Sequence, residues 1–361
     1  MKFCMYNYSL FDEAEGGSDM MAILHSVMIN KLEKKWFRSE GGLIPNMAAL
    51  VYCHLAFFGG AALILSLQPA WMALGTLALA HGMVIAAYMI HDCAHNAVFR
   101  LPQHNAAGGR ALSWLTGGCY ATYEDMRAMH MRHHVENSDA TGLDYRAWLV
   151  RYPVLRGIVE AAEWLYVPAV ELMMHAMVIL APFLFEERRA QRWRVLAITA
   201  VRFGLLAAVF LYSPWAYLCY VLAYILFLTV LRFMDALQHN YGNDLAVHKG
   251  DRAYEQSHTF SNPVSLRYPW LNLFTLNFGY HNAHHARPTA PWHALPSLHS
   301  LLYGEDVRAV IPFRKQLASF HCNRMARIWG DESEMQGDRF LRRLHGGSAV
   351  GANGVSFLTP F

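Results

Sequence analysis

The chain has 361 residues, of which 55% are hydrophobic and only 16% are charged. This charged fraction lies well below the roughly 25% of a typical soluble domain, which argues against an ordinary soluble enzyme. The net charge of +3 and the lack of any zinc-finger or other nucleic-acid signature argue against nucleic acid as a partner.

Two long stretches without acidic or basic residues predict four membrane-spanning helices, arranged as two hairpins. The first stretch covers residues 41–91 and is interrupted at Pro69, and the second covers residues 203–231 and is interrupted at Pro214. Each flank is long and apolar enough for a helix that crosses a bilayer, and proline suits the turn between two helices. The predicted spans are residues 47–67, 71–90, 195–212 and 215–231.

Basic residues precede each predicted hairpin, whereas the two turns carry no charge. By the positive-inside rule, both ends of each hairpin are expected to face the cytoplasm. Residues 164–185 are apolar but contain two prolines, a glutamate and a histidine, so we interpret them as an interfacial or cytoplasmic cap helix. The basic residues are Lys31, Lys34, Lys35 and Arg38 before the first hairpin and Arg188, Arg189, Arg192 and Arg194 before the second.

The predicted fold is an all-α, multi-pass integral membrane protein with a cytoplasmic helical cap that carries the clustered histidines. We expect a cytoplasmic N-terminal segment at residues 1–40, a single membrane-embedded domain at residues 41–345 and a disordered tail at residues 346–361. The tail is assigned from its glycine and serine content.

Two features of the predicted spans have alternative interpretations. Arg202 lies inside the third span, where burying a cation in lipid costs free energy. Such a residue either has a function or extends its side chain to the membrane interface. Four glycines in the first hairpin either leave room for an apolar substrate chain or allow close helix packing. These glycines are Gly59, Gly60, Gly75 and Gly82.

Eight histidines form three clusters with the spacing of metal ligands: HxxxH at residues 91–95, HxxHH at 130–134 and HxxHH at 281–285. Residues three or four apart share a helix face, so each cluster can direct two or three imidazoles towards one centre. Eight imidazoles exceed the needs of one ion and favour two, although imidazole suits iron, copper and zinc alike. The eight are His91, His95, His130, His133, His134, His281, His284 and His285.

In order, spacing and flanking residues, these clusters resemble the three histidine boxes of the membrane fatty acid desaturase superfamily, over residues 90–298. The stretch from Asn277 to His285, followed by Pro291 and Trp292, is similar to the third-box region of that family. The resemblance implies a ninth ligand after the fourth span, which would be His239. It also implies two non-haem iron ions and dioxygen as co-substrate.

The resemblance further implies oxidation of a fatty acid or fatty acyl chain, with desaturation as the commonest outcome. Oxidative decarboxylation of free fatty acids to terminal alkenes and acyl hydroxylation are the alternatives. The chain lacks the His-Pro-Gly-Gly motif of a fused cytochrome b5 domain. We therefore expect a separate electron donor, such as ferredoxin or cytochrome b5 with its reductase.

A different class of function, a non-catalytic haem-binding membrane protein, would use isolated histidines inside the spans. His54 and His81 are the candidates, but this interpretation leaves the three clusters unexplained. A strong Soret band in the absorption spectrum would identify bound haem.

Carboxylates or amides that accept a hydrogen bond from the second ring nitrogen are expected to orient the imidazoles. Five such residues lie near the clusters in sequence, and helix capping or contact with water explains each of them equally well. The candidates are Asp92, Asp125, Glu136, Asp235 and Asn277.

Overall fold

The structure is a computed structural model that describes residues 40–137, 144–241, 247–304, 310–335, 338–352 and 358–360. Every regular element in these ranges is a helix, and the only extended pairing among them consists of two isolated bridges. The all-α prediction is therefore confirmed. Except for Glu40, the predicted N-terminal segment lies outside the described residues.

The α-helices are numbered in chain order. They are α1 (Glu40–Leu65), α2 (Pro69–Ala94), α3 (Pro102–Thr116), α4 (Tyr123–Glu136), α5 (Tyr145–Arg151), α6 (Pro153–Trp164), α7 (Ala169–Leu184), α8 (Arg192–Tyr212), α9 (Pro214–Asp235), α10 (Arg252–Ser257), α11 (His281–Ala286), α12 (Leu295–Tyr303), α13 (Phe313–Cys322), α14 (Ala326–Trp329) and α15 (Arg339–Gly346). Short 3₁₀ helices connect several of them.

Four helices, α1, α2, α8 and α9, are long and apolar enough to cross a membrane, and they coincide with the four predicted spans. α1 ends two residues before the predicted boundary because the chain turns at Leu67, which has a φ of 58°. Pro69 and Pro214 begin the following helices, where a missing backbone N–H leaves no hydrogen bond unmade. The Ser213 side chain accepts a hydrogen bond from the backbone N–H of Ala216 at 3.2 Å and caps α9.

Helix α2 is the central helix, and its C-terminal half is buried without interruption. Glycines bring α1 unusually close to it. A Cβ added to Gly75 would lie 2.6 Å from the carbonyl oxygen of Gly60, and one added to Gly82 would lie 2.8 Å from the backbone nitrogen of Phe57. Gly59, by contrast, has open space around it. Close helix packing therefore accounts for Gly60, Gly75 and Gly82.

Arg202 on α8 is partly buried and contacts residues of neighbouring helices. Its guanidinium donates to the backbone carbonyl of Trp114 at 2.7 Å and to the hydroxyl of Tyr220 at 3.3 Å. It also lies 5.8 Å from the centre of the Tyr120 ring. The cation thus links α8 to α3 and α9, which is a structural role.

Residues 164–185 do not form one continuous helix. α6 ends at Trp164 and α7 begins at Ala169, and the 16 residues of α7 are fewer than the roughly 20 that a spanning helix needs. Glu163 fixes the break, since it accepts from the Val170 backbone N–H at 3.0 Å and pairs with the buried Arg232 of α9 at 2.6 Å. The interfacial or cytoplasmic position of this segment stays a prediction.

Part of the C-terminal segment packs against the protein instead of forming the expected disordered tail. Ala349 and Val350 are buried. The Val350 N–H donates to Glu334 at 2.9 Å, and its carbonyl accepts from Arg327 at 2.9 Å. Because these backbone groups are paired and the side chains are small and apolar, the stretch packs despite its glycine and serine content.

Candidate metal centre

The three histidine clusters lie close together near the C-terminal end of α2. His91 belongs to the last turn of α2 and His95 caps that helix. The second cluster occupies the last turns of α4. Thr122 caps the start of this helix, because its hydroxyl accepts from the Asp125 N–H at 3.0 Å. The third cluster forms the short helix α11. His239 follows α9 and is held by an isolated bridge to Thr259.

All nine histidines come together in two groups. Within each group, one nitrogen from every imidazole lies within 4.8 Å of all the others. The five-histidine group consists of His91, His95, His130, His134 and His284, and the four-histidine group consists of His133, His239, His281 and His285. Each group draws on at least two clusters, so neither site exists until distant segments of the chain have packed.

The spacing of the ring nitrogens fits metal coordination. In the four-histidine group the Nε2 atoms of His239, His281 and His285 are 2.9, 3.0 and 3.1 Å apart. In the five-histidine group the Nε2 atoms of His95 and His130 are 2.7 Å apart. Ligands bound at about 2.1 Å and at right angles lie about 3 Å from one another, whereas three mutually adjacent ring nitrogens cannot satisfy each other as hydrogen-bond partners.

Five of the clustered imidazoles are held in the neutral form that binds metals. Burial, reinforced by neighbouring imidazoles, lowers the pKa of the His130, His134 and His284 side chains well below the usual value for histidine. The same two causes lower the pKa of His281 and His285. Near neutral pH these side chains therefore offer a lone pair instead of a positive charge.

Among the described contacts, carboxylates of Asp92 and Glu255 face the second ring nitrogen of a clustered histidine. Asp92, one of the sequence candidates, lies 3.2 Å from Nδ1 of His91 and also accepts from the backbone N–H of Trp292 at 3.0 Å. Glu255 on α10 is fully buried and lies 2.9 Å from Nδ1 of His285. The same oxygen is 3.8 Å from Nδ1 of His134, so Glu255 stands between the two groups.

Sequence reasoning missed Glu255 as a partner of the clusters. Its only signal was a Glu-x-x-His spacing with His258, but His258 instead lies 2.9 Å from the carbonyl oxygen of Tyr254. Burial raises the pKa of the Glu255 carboxyl, and the adjacent Arg252 guanidinium partly offsets that rise. The structure thus adds one carboxylate to the candidate site.

Three of the other four candidates contact residues outside the histidine clusters. Asp125 accepts from Gln191 at 3.2 Å, and Glu136 pairs with Arg132 at 3.0 Å across one turn of α4. The Asn277 amide donates to the Trp292 carbonyl at 3.2 Å. Asp235 lies half-buried in the last turn of α9. Of the five candidates chosen by nearness in sequence, Asp92 is thus the one with a described contact to a clustered imidazole.

The two histidines considered for haem lie outside both groups. A ring nitrogen of His54 is 2.7 Å from the Leu50 carbonyl oxygen of its own helix. His81 contacts the Tyr52 hydroxyl with one nitrogen and the Phe274 carbonyl with the other. Protein hydrogen bonds therefore account for both of them.

Comparison with known proteins agrees with this geometry. The sequence model of the family described as fatty acid desaturase matches residues 69–316, which include all nine histidines. The chain is also 28% identical over 266 residues to a beta-carotene ketolase of Paracoccus sp. (strain N81106 / MBIC 01143), covering 72% of this chain and 89% of that enzyme. With four apolar helices and nine gathered histidines, the chain belongs to the fatty acid desaturase family of membrane oxidoreductases.

Proposed function

We propose that the protein oxidises a fatty acyl chain with dioxygen at two non-haem iron ions, and that the product carries a new carbon–carbon double bond. The observation that supports two ions is the division of nine imidazoles into groups of five and four. The proposed ligands are the nine histidines of these groups. When bound, two irons supply the redox chemistry that removes hydrogen from an unactivated C–H bond.

In this proposal the protein holds and orients neutral imidazoles. Asp92 fixes the ring of His91 in one group, and Glu255 fixes the ring of His285 in the other. A carboxylate on the second ring nitrogen sets the tautomer, so that the opposite nitrogen points towards the metal. Because burial lowers the pKa of His130, His134, His281, His284 and His285, metal binding does not have to displace an extra proton from these imidazoles.

An apolar wall adjoins the five-histidine group. The ring of Phe278 packs against His91 with centroids 5.1 Å apart and stacks on Tyr88 at 4.4 Å. Both residues are buried, so bulk water has little access from this side. Such surroundings suit an alkyl chain, and water exclusion limits side reactions of an oxidant.

The overall reaction also needs an outside source of electrons. Desaturation takes two hydrogens from the substrate, and two electrons and two protons complete the reduction of dioxygen to two waters. We propose that a separate donor, such as ferredoxin or cytochrome b5 with its reductase, supplies these electrons on the cytoplasmic side. Decarboxylation to a terminal alkene and hydroxylation use the same site and remain alternative outcomes.

A carotenoid-type substrate is a second candidate, supported by the resemblance to the ketolase of Paracoccus over 89% of its length. Both substrate classes are long and apolar, so the histidine groups do not distinguish between them. The difference would lie in the volume available beside Phe278, since a ring is bulkier than an alkyl chain.

One experiment tests the reaction and another tests the metal. The protein is expressed in a heterologous host with added ferredoxin and reductase, with or without beta-carotene, and lipids, pigments and headspace volatiles are profiled by mass spectrometry. Unsaturated acyl chains support the proposal, whereas a ketone on beta-carotene would replace it with the second candidate.

Elemental analysis of purified protein should give two irons per chain. His284→Ala and His133→Ala each remove one ligand from a different group and should lower both iron content and product. His104→Ala, at an exposed position outside both groups, is the matched control and should retain both. One zinc and no iron in active protein would contradict the proposal.

A further inference from the structure

A run of large apolar side chains is exposed between α9 and the third histidine cluster. It occupies residues 266–274 and includes most of the 3₁₀ helix Pro269–Thr275. The exposed fractions are 56% for Leu266, 47% for Tyr268, 62% for Trp270, 49% for Leu273 and 53% for Phe274. An apolar surface of this kind marks a site of interaction with another molecule or with lipid.

Phe274, in this segment, lies beside the middle of α2. His81 is the thirteenth of the 26 residues of α2, and its Nε2 atom is 3.0 Å from the carbonyl oxygen of Phe274. The His81 and Phe274 rings also meet, with centroids 5.6 Å apart. At 1.5 Å per residue, His81 lies about 20 Å from either end of its helix. Phe274 therefore reaches the depth of the centre of a spanning helix.

Several backbone polar groups in and next to the segment are paired within the protein. The Asn272 side chain accepts from the Ser265 N–H at 3.1 Å and donates to the Ser265 carbonyl at 2.7 Å. The Asn272 carbonyl accepts from the Asn277 N–H at 2.8 Å, and His81 contacts the Phe274 carbonyl. Non-helical backbone occurs at membrane depth only where it is packed against protein or lines a water-filled cavity, and these contacts pack this backbone against the protein.

The charges of the segment fit the same position. Residues 268–280 contain no acidic or basic side chain, and Arg267 stands at the beginning of the run. Arg267 lies over the Tyr268 ring at 5.2 Å. Arginine next to tyrosine and tryptophan is the combination found where a chain enters the lipid headgroup region.

We propose that residues 266–274 insert into the lipid bilayer against α2, with Leu273 and Phe274 in contact with lipid acyl chains. On α1 and α2, large apolar side chains such as Leu55, Leu74 and Leu77 are also exposed, as expected of helices that face lipid, which is why lipid is the partner and not a second protein. The third histidine cluster then follows a membrane-inserted segment instead of an aqueous loop. This proposal rests on the membrane character of the chain and is independent of the reaction.

The test uses a fluorescent NBD label on one accessible cysteine in each variant. In the full-length protein, Cys4, Cys219 and Cys322 are replaced by serine, and the buried cysteines Cys53, Cys93 and Cys119 are kept. Leu273→Cys is labelled, and Trp270→Cys provides a second site if the first variant is poorly expressed. The protein is reconstituted into phosphatidylcholine vesicles that carry a doxyl quencher on the acyl chain.

Two exposed positions calibrate the result. Leu205→Cys, near the middle of α8, represents lipid contact, and Val247→Cys, in a turn between α9 and α10, represents water. The label at residue 273 should be quenched by doxyl lipid as strongly as that at residue 205 and be protected from aqueous iodide. Iodide quenching like that at residue 247 would overturn the proposal. Protection from both quenchers would also overturn it, because protein would then cover the segment.

Discussion

Replacing Glu255 by alanine should weaken iron binding without unfolding the protein. The carboxylate is fully buried and contacts Nδ1 of His285 at 2.9 Å, so its removal frees that ring to rotate and change tautomer. Loss of such a partner typically costs 10- to 100-fold in metal affinity, or about 1.4–2.8 kcal/mol. The paired Arg252 is half exposed, so its solvation limits the additional loss to about 1 kcal/mol or less.

The measurement is a chelator titration of the iron-loaded protein, with retained iron plotted against chelator concentration. Glu255→Gln should fall between wild type and Glu255→Ala, because the amide oxygen can still accept the hydrogen bond from His285. Glu136→Ala is the matched control, since that glutamate follows the second cluster but pairs with Arg132 on the surface of α4. Expression yield and thermal unfolding of the metal-free variants report on folding.

Equal chelator midpoints for wild type and Glu255→Ala would refute the positioning role of this carboxylate. Equal losses in Glu255→Ala and Glu136→Ala would also refute it, because only one of the two contacts a clustered imidazole in the structure. A loss confined to Glu255→Ala supports the geometry, with recovery in Glu255→Gln separating orientation from charge.

Two further predictions concern stability. Gly75→Leu should lower expression yield and the amounts of all products alike, because its Cβ would lie 2.6 Å from the Gly60 carbonyl oxygen. Gly59→Leu is the control and should be tolerated, because Gly59 has open space around it. A change in product chain length in Gly75→Leu without loss of yield would contradict this prediction. Glu163→Ala should destabilise the protein by about 3–5 kcal/mol because it removes the carboxylate that pairs with the buried Arg232, and thermal unfolding of the iron-free protein measures the loss. An unchanged melting temperature would show that water solvates this arginine.

The long helices could be predicted from the sequence because a bilayer imposes a simple requirement, an uninterrupted apolar stretch of fixed length. Their boundaries were less accurate. The prediction extended the first span through Leu67, whose left-handed backbone ends α1, and it stopped the second at Ile90, although α2 continues through His91 to Ala94. Local turn geometry and tertiary burial decide these ends, and hydropathy does not report either.

The clustered histidines could be recognised because helical spacing places their side chains on one face. Their partition into two groups could not, since His133 and His134 are adjacent in sequence yet belong to different groups. Glu255 was missed for a related reason: it lies 30 residues before His285, and only the fold of the intervening chain brings them together. Contacts between distant segments leave no periodic signal.

The glycine contacts between α1 and α2 bear on how the protein is assembled during synthesis. The contact is formed entirely within residues 40–94 and includes Gly60, Gly75 and Gly82, so it needs no later part of the chain. Once both have left the translocon they can pack while the ribosome is still translating later segments. His91 and His95 would then lie on an already packed helix pair long before His281 is synthesised. Metal binding would therefore follow the packing of these helices and would not be needed to bring them together.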